Sequence, residues 1–249
     1  MSNSPILVIS NGLFMKCKNC GTETDGKFCR NCGQELEIHR ITVSHLVHEI
    51  VHTFTHLEKG FLFTFRKLLA DPGRMQRQYL EGFRVKYQRP FSMFFICSTA
   101  SALCLYWLNR LSGSSADREQ VAFNYFLQHY YVLLHILLLP FYTLITWVLF
   151  KPSKYNYAEI LVLGMYMLAF MLLLIIPVYL LSAGIPVMKT RFVETTVFAV
   201  YNVCTFIRFF NKMAWWKVLI MSIVNLAINY LVYVFIMEWA VKVLANSSH

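Results

Sequence analysis

Four stretches of the chain carry no Asp, Glu, Lys or Arg: between Arg89 and Arg110, Glu119 and Lys151, Glu159 and Lys189, and Lys217 and Glu238. Each reaches the roughly 20 apolar residues that a helix needs to cross a bilayer core. Lipid offers backbone amides no partner, so these stretches are expected to be helices. A fifth candidate near 192–210 is charge-free only from Thr195 to Ile207, with Glu194 and Arg208 placed to reach the two interfaces. The pattern predicts five membrane spans, near 90–110, 128–150, 158–183, 192–210 and 217–241, with four as the alternative. Within them, Asn225 and Asn229 share a face, Ser98 and Ala102 offer a small packing face, and Pro140 and Pro177 are expected to kink their helices.

Upstream the period changes. Over residues 43–58, Leu46, Val47, Ile50, Val51, Phe54 and Leu57 gather on one side of a helix. His45, His48, Glu49, His52 and His56 fall on the other. After it, Phe61, Leu62, Phe63, Phe65, Leu68 and Leu69 alternate with charges, and Asp71-Pro72-Gly73 signals a turn between two short helices. The expected fold is therefore all-α and membrane-bound: about five transmembrane helices, residues 90–249, preceded by juxtamembrane amphipathic helices over 40–89.

Composition supports this class. The 249 residues are 57% hydrophobic and only 14% charged, where a soluble domain carries about 25%. The formal charge is +10. Arg66, Lys67, Arg74, Arg77, Arg84, Lys86 and Arg89 precede the first span, and Lys151, Lys154, Arg208, Lys212 and Lys217 lie in later loops of the same side. Twelve basic residues there against five on the other side predict a cytoplasmic N-terminus. With five spans the C-terminus is outside. The seven juxtamembrane basic residues are expected to face anionic lipid headgroups, or else only to set topology. Nucleic acid is not an expected partner, because the interleaved Phe residues adjoin a span.

The clearest chemistry is at the N-terminus. Cys17-Lys-Asn-Cys20-Gly and Cys29-Arg-Asn-Cys32-Gly form two CxxCG knuckles separated by eight residues. This spacing aims four thiolates at one tetrahedral ion and predicts a structural zinc ribbon over residues 15–36. Disulfides or a redox pair are the alternatives; a cytoplasmic side disfavours the first. Cys97, Cys104 and Cys204 fall in predicted spans and are expected to pack as small hydrophobes. Residues 1–14 match nothing downstream and contain no secretory signal; they read as a leader that translation from Met15 would omit.

The histidine face is open to several readings. His48-Glu49-Ile50-Val51-His52 fits the HExxH pattern of a zinc protease, with Glu49 as base. No third ligand or cleft is apparent for it. A second metal site or proton-responsive face at His45, His48, His52 and His56 is another reading, and a plain polar helix face a third.

This combination resembles the bacterial domain of unknown function 3667 family. The likeness rests on the paired CxxCG motifs, His48-Glu49-x-x-His52-x-x-x-His56, Lys59-Gly60, Pro72-Gly73, Tyr79-Leu80-x-Gly82 and Pro90-Phe91. It covers roughly residues 15–100; where members tend to have Gly-Lys-Arg, this chain has Gly82-Phe83-Arg84. The resemblance implies a zinc ribbon ahead of a multi-pass region in a bacterial inner membrane. The family has no established activity, so it implies no mechanism. A binding or scaffold protein, with a protein partner or lipid, fits these features without requiring catalysis. A membrane metalloprotease and a small transporter are the alternatives.

Overall fold

The computed structural model describes residues 7–9, 12–37, 39–44, 46, 60–112, 118–181 and 187–247. Three short strands open it: β1 (Leu7–Ile9), β2 (Gly12–Lys16) and β3 (Glu23–Thr24), antiparallel in the order β1-β2-β3. Met15 pairs with Thr24 and Lys16 with Glu23. Residues that read as a leader thus supply β1 and the start of β2, while the turn from β2 to β3 carries the first cysteine knuckle.

Seven helices follow among the described residues. Two are short, α1 (Phe61–Ala70) and α2 (Pro72–Leu80). Asp71 ends the first, its backbone N–H bonded to the Lys67 carbonyl. Pro72 opens the second, where its missing N–H costs nothing. Five are long: α3 (Pro90–Ser112), α4 (Arg118–Leu149), α5 (Tyr157–Leu181), α6 (Val187–Phe209) and α7 (Trp215–Ser247). Every segment expected to span falls on one of them. Two helices are long and apolar enough by composition to cross a membrane, over Tyr157–Leu174 and Trp215–Ile236. The apolar helical stretches Pro90–Cys104, Leu134–Leu149 and Thr195–Phe209 are shorter. α4 starts at Arg118, ahead of the expected 128, because hydropathy reports the apolar stretch while helical hydrogen bonding continues into polar residues.

The helix α5 is the hub. It packs on α3, α4 and α6 and also touches α1 and α2. Of its apolar stretch 61% is buried, against 11% for that of α7. This matches a helix that is hydrophobic all round and surrounded by protein. On one flank, Leu68, Met75, Tyr79, Tyr87, Phe94 and Cys97 join Val162, Tyr166 and Phe170 in a core shared by α1, α2, α3 and α5. Tyr166 donates its hydroxyl to the Gln88 carbonyl, and Thr64 Oγ1 accepts the Gln88 N–H at 2.7 Å. On the other flank, Phe150 stacks on Phe210 with centroids 4.2 Å apart, and Phe206, Phe209 and Val218 close around them. The starts of α3, α5 and α7 and the ends of α4 and α6 therefore lie at one end of the bundle.

The α2 and α6 backbones meet at Gly73. A Cβ there would fall 2.6 Å from the Phe209 amide nitrogen and 2.8 Å from Arg208 Cβ, and nearer still to the Thr205 carbonyl oxygen. Arg208 reinforces the contact, donating to Asp71 Oδ1 at 2.9 Å and to the Ala70 carbonyl at 3.2 Å. Gly73→Ala should destabilise the chain by about 1–3 kcal/mol through this overpacking, read as a lower melting midpoint in detergent. An unchanged midpoint would show that α2 and α6 do not meet closely at Gly73.

Candidate metal centre and its dock

The two knuckles are near copies of each other. The Cys17 N–H bonds the Thr22 carbonyl and the Gly21 N–H bonds the Cys17 carbonyl. The Cys29 N–H bonds the Gln34 carbonyl and the Gly33 N–H bonds the Cys29 carbonyl. Gly21 at φ 77 and Gly33 at φ 72 take the left-handed turn that brings each pair of thiols together. The first knuckle closes the β2–β3 hairpin; the second is closed by the bridge between Phe28 and Glu35.

The four sulfur atoms all lie within 4.8 Å of one another. Cys17 Sγ is 3.6 Å from Cys32 Sγ, and Cys20 Sγ is 3.5 Å from Cys29 Sγ. A tetrahedral ion with metal–sulfur bonds of about 2.3 Å separates its sulfurs by about 3.8 Å. The four cysteines can therefore hold a metal ion. All four are free thiols rather than disulfides. Their environments differ: burial pushes Cys17 up to about 11, whereas the Thr22 hydroxyl and then the Thr22 amide hold Cys20 down to about 6. Of the other cysteines, Cys97 is buried, Cys104 half-buried and Cys204 exposed.

The centre is anchored to the helical body at two points. Gln34 directly follows the second knuckle. Its Oε1 accepts the backbone N–H groups of Arg84 and Val85, each at 3.3 Å. The second anchor is Arg40, whose Nε and terminal nitrogen donate to the two Glu159 carboxylate oxygens at 2.9 and 2.6 Å. That terminal nitrogen also donates to the Lys154 carbonyl at 3.0 Å. Glu159 is buried at the N-terminus of α5. There it accepts the Asn156 N–H at 2.9 Å, while Asn156 Oδ1 accepts the Glu159 N–H at 2.8 Å. This reciprocal pair is a capping box. Asn156 Nδ2 adds a bond to the Ile41 carbonyl at 2.9 Å. The carboxylate correspondingly raises the Arg40 pKa by hydrogen bonding.

Residues 58–101 match the model of a family described as protein of unknown function (DUF3667). The resemblance to that family therefore holds over α1, α2, the loop to α3 and the first half of α3. No curated protein and no solved structure matches the chain. The matched segment supplies one receptor for the ribbon, the Arg84–Val85 amides, and α5 supplies the other. The cysteines precede the matched residues, so the metal centre rests on its own geometry.

The matched segment also holds the seven basic residues expected to face lipid. Arg66, Lys67, Arg74, Lys86 and Arg89 are exposed. Arg77 and Arg84 are half-buried and engaged by the fold. Arg77 donates to the Arg208 carbonyl at 2.8 Å, and Arg84 donates to the His39 carbonyl at 2.9 Å. The histidine stripe, His45, His48, His52 and His56 with Glu49, lies outside the described residues. Sequence reasoning missed Gln34, Arg40, Asn156 and Glu159. An Asn-x-x-Glu box ahead of an apolar run was the available signal for the last two.

At pH 7, above the Cys20 value and below that of Cys17, Cys20 is the thiolate and Cys17 the protonated thiol. Iodoacetamide should alkylate Cys20 ahead of Cys17 in metal-free protein, as read by peptide mass mapping. The reverse order would contradict the local environments. Arg40→Ala should cost about 1–2 kcal/mol, the lower side for a buried pair because the guanidinium is mostly exposed. It should also speed hydrogen exchange over residues 29–41. Unchanged exchange there would mean that Arg40 does not hold the ribbon.

Proposed function

We propose that this chain is a multi-pass protein of the bacterial inner membrane that presents a zinc-held binding platform at its cytoplasmic face. The observation that carries the reading is the double anchor of the ribbon, at Arg84–Val85 and at Glu159. A ribbon on a loose tether would serve as a recruiting arm. A ribbon fixed against the helix ends is a surface of defined shape, which suits a scaffold. Zinc is the ion that four thiolates at this separation favour, and a centre with all four positions filled by protein is structural.

The membrane placement has three supports. The apolar surface of α7 includes exposed Ile220, Ile223, Leu231 and Phe235, which a soluble protein would bury. Trp215 and Trp216 lie about 35 Å along α7 from Trp239, the separation of two interfacial aromatic belts. The twelve basic residues assigned to the cytoplasmic side cluster at or before the ribbon end of the bundle. In this reading α3 to α7 are the five spans, the two short helices lie in the headgroup layer, and exposed Arg66, Lys67, Arg74, Lys86 and Arg89 meet anionic lipid.

The reading predicts about one zinc per chain in full-length protein purified without chelator, lost in Cys29→Ser. Zinc-free wild-type protein would refute it. A reporter active only in the cytoplasm should be silent when fused after His249 and active when fused ahead of Cys17. Activity at both ends would leave four spans.

A further inference from the structure

A cavity of about 480 Å³ lies between α4, α5, α6 and α7, away from the metal centre. Three of its lining residues carry a buried polar atom without a hydrogen-bond partner: Tyr142 Oη, Asn202 Oδ1 and Asn229 Oδ1. On the same walls Thr146 donates to Asn225 Oδ1 at 3.1 Å. We propose that this cavity binds a lipid alcohol, an uncharged hydrocarbon chain ending in a hydroxyl group.

The wall chemistry selects this class. Amide oxygens only accept, so the occupant must donate; the Tyr142 hydroxyl can donate, so the occupant should also accept. A hydroxyl is the smallest group that does both. No Asp, Glu, Lys or Arg lines the cavity. An ammonium head would therefore be buried without a countercharge, and a phosphate would have only the His135 imidazole, so either is costly. Water would satisfy the three atoms but leave the surrounding leucine and methionine walls wet. The volume falls in the range of small-molecule sites. Depth agrees. At 1.5 Å per residue, Tyr142 and Asn202 sit about 10 Å in from the ends of α4 and α6, and the Thr146–Asn225 bond sets Asn229, one turn beyond Asn225, at the level of Tyr142. In the membrane reading these positions lie within the apolar stretches of α4, α6 and α7, where a neutral lipid is cheaper to place than a charged headgroup. A diglyceride and a prenol are the two sources of this chemistry. The inference rests on the membrane reading above.

The test uses the full-length chain in phosphatidylcholine nanodiscs, with photoactivatable dioleoylglycerol in one arm and photoactivatable farnesol in the other. Saturable labelling of α4–α7 peptides in either arm is expected. It should be competed by the unlabelled parent alcohol and not by phosphatidic acid of the same acyl chains. The labelled arm identifies the source. Asn202→Leu combined with Asn229→Leu removes whichever amide oxygen accepts the lipid hydroxyl's single proton and should weaken labelling about fivefold, the loss of one modest hydrogen bond. Ala199→Phe fills the cavity while keeping both amides and should abolish labelling. Equal labelling of wild type and both variants, competition by phosphatidic acid, or no saturable labelling in either arm overturns the proposal. Release of the chain from native membranes by carbonate would instead refute the membrane placement, and is scored separately from labelling.

Discussion

The carboxylate of Glu159 ties the metal end of the chain to the centre of the helical body. It is buried and accepts from Arg40 and from the Asn156 amide. A buried carboxylate is expensive unless several donors replace its water. Here the donors come from both sides of the junction, so the charge is satisfied only when the linker lies against the start of α5. The same group caps α5, which ends the loop after α4 and begins the most buried helix. Moving Glu159 would therefore release one of the ribbon's two anchors, uncap the central helix and leave the Arg40 charge unpaired at once.

From that fixed point the bundle is organised by how much protein each helix face meets. The flank formed by α1, α2 and α3 seals against α5 with tyrosines and a short chain of polar contacts, including Gln88 to Ser92 at 2.7 Å. The opposite flank is less complete. There α4, α6 and α7 leave a cavity whose walls keep three polar atoms unpaired, and α7 turns most of its apolar surface outward. The sealed flank meets the cysteine ribbon and the open flank carries the proposed lipid site, with α5 between them. A bound lipid alcohol and the ribbon would thus contact the same helix, the ribbon at Glu159 and the cavity from Ile160 onward.

The features that were legible along the chain are the local ones. Helix positions followed from charge-free runs, because a run of apolar residues needs no distant partner to be helical in a low-dielectric setting. The paired CxxCG spacing foretold the sulfur cluster, because each knuckle is closed by its own backbone hydrogen bonds. The break at Asp71-Pro72 followed from proline's missing donor. The Asn156–Glu159 box was equally local and equally readable. By contrast, charge alone grouped Arg77 and Arg84 with the lipid-facing residues, yet the fold engages both with backbone carbonyls.

The sequence by itself determined the helical segments, the hairpin turns that gather the thiols, and the clustering of basic residues ahead of the first long helix. Only the tertiary structure decided that Gln34 reaches Arg84 and Val85, that Arg40 reaches Glu159 across 119 residues, and that Tyr142, Asn202 and Asn229 line one cavity. The reason is geometric. Hydropathy sets where a helix runs but not its rotation about its axis or its crossing with a neighbour. A rotation of one residue, about 100°, would change every one of those partners while leaving the hydrophobic pattern along the chain unchanged.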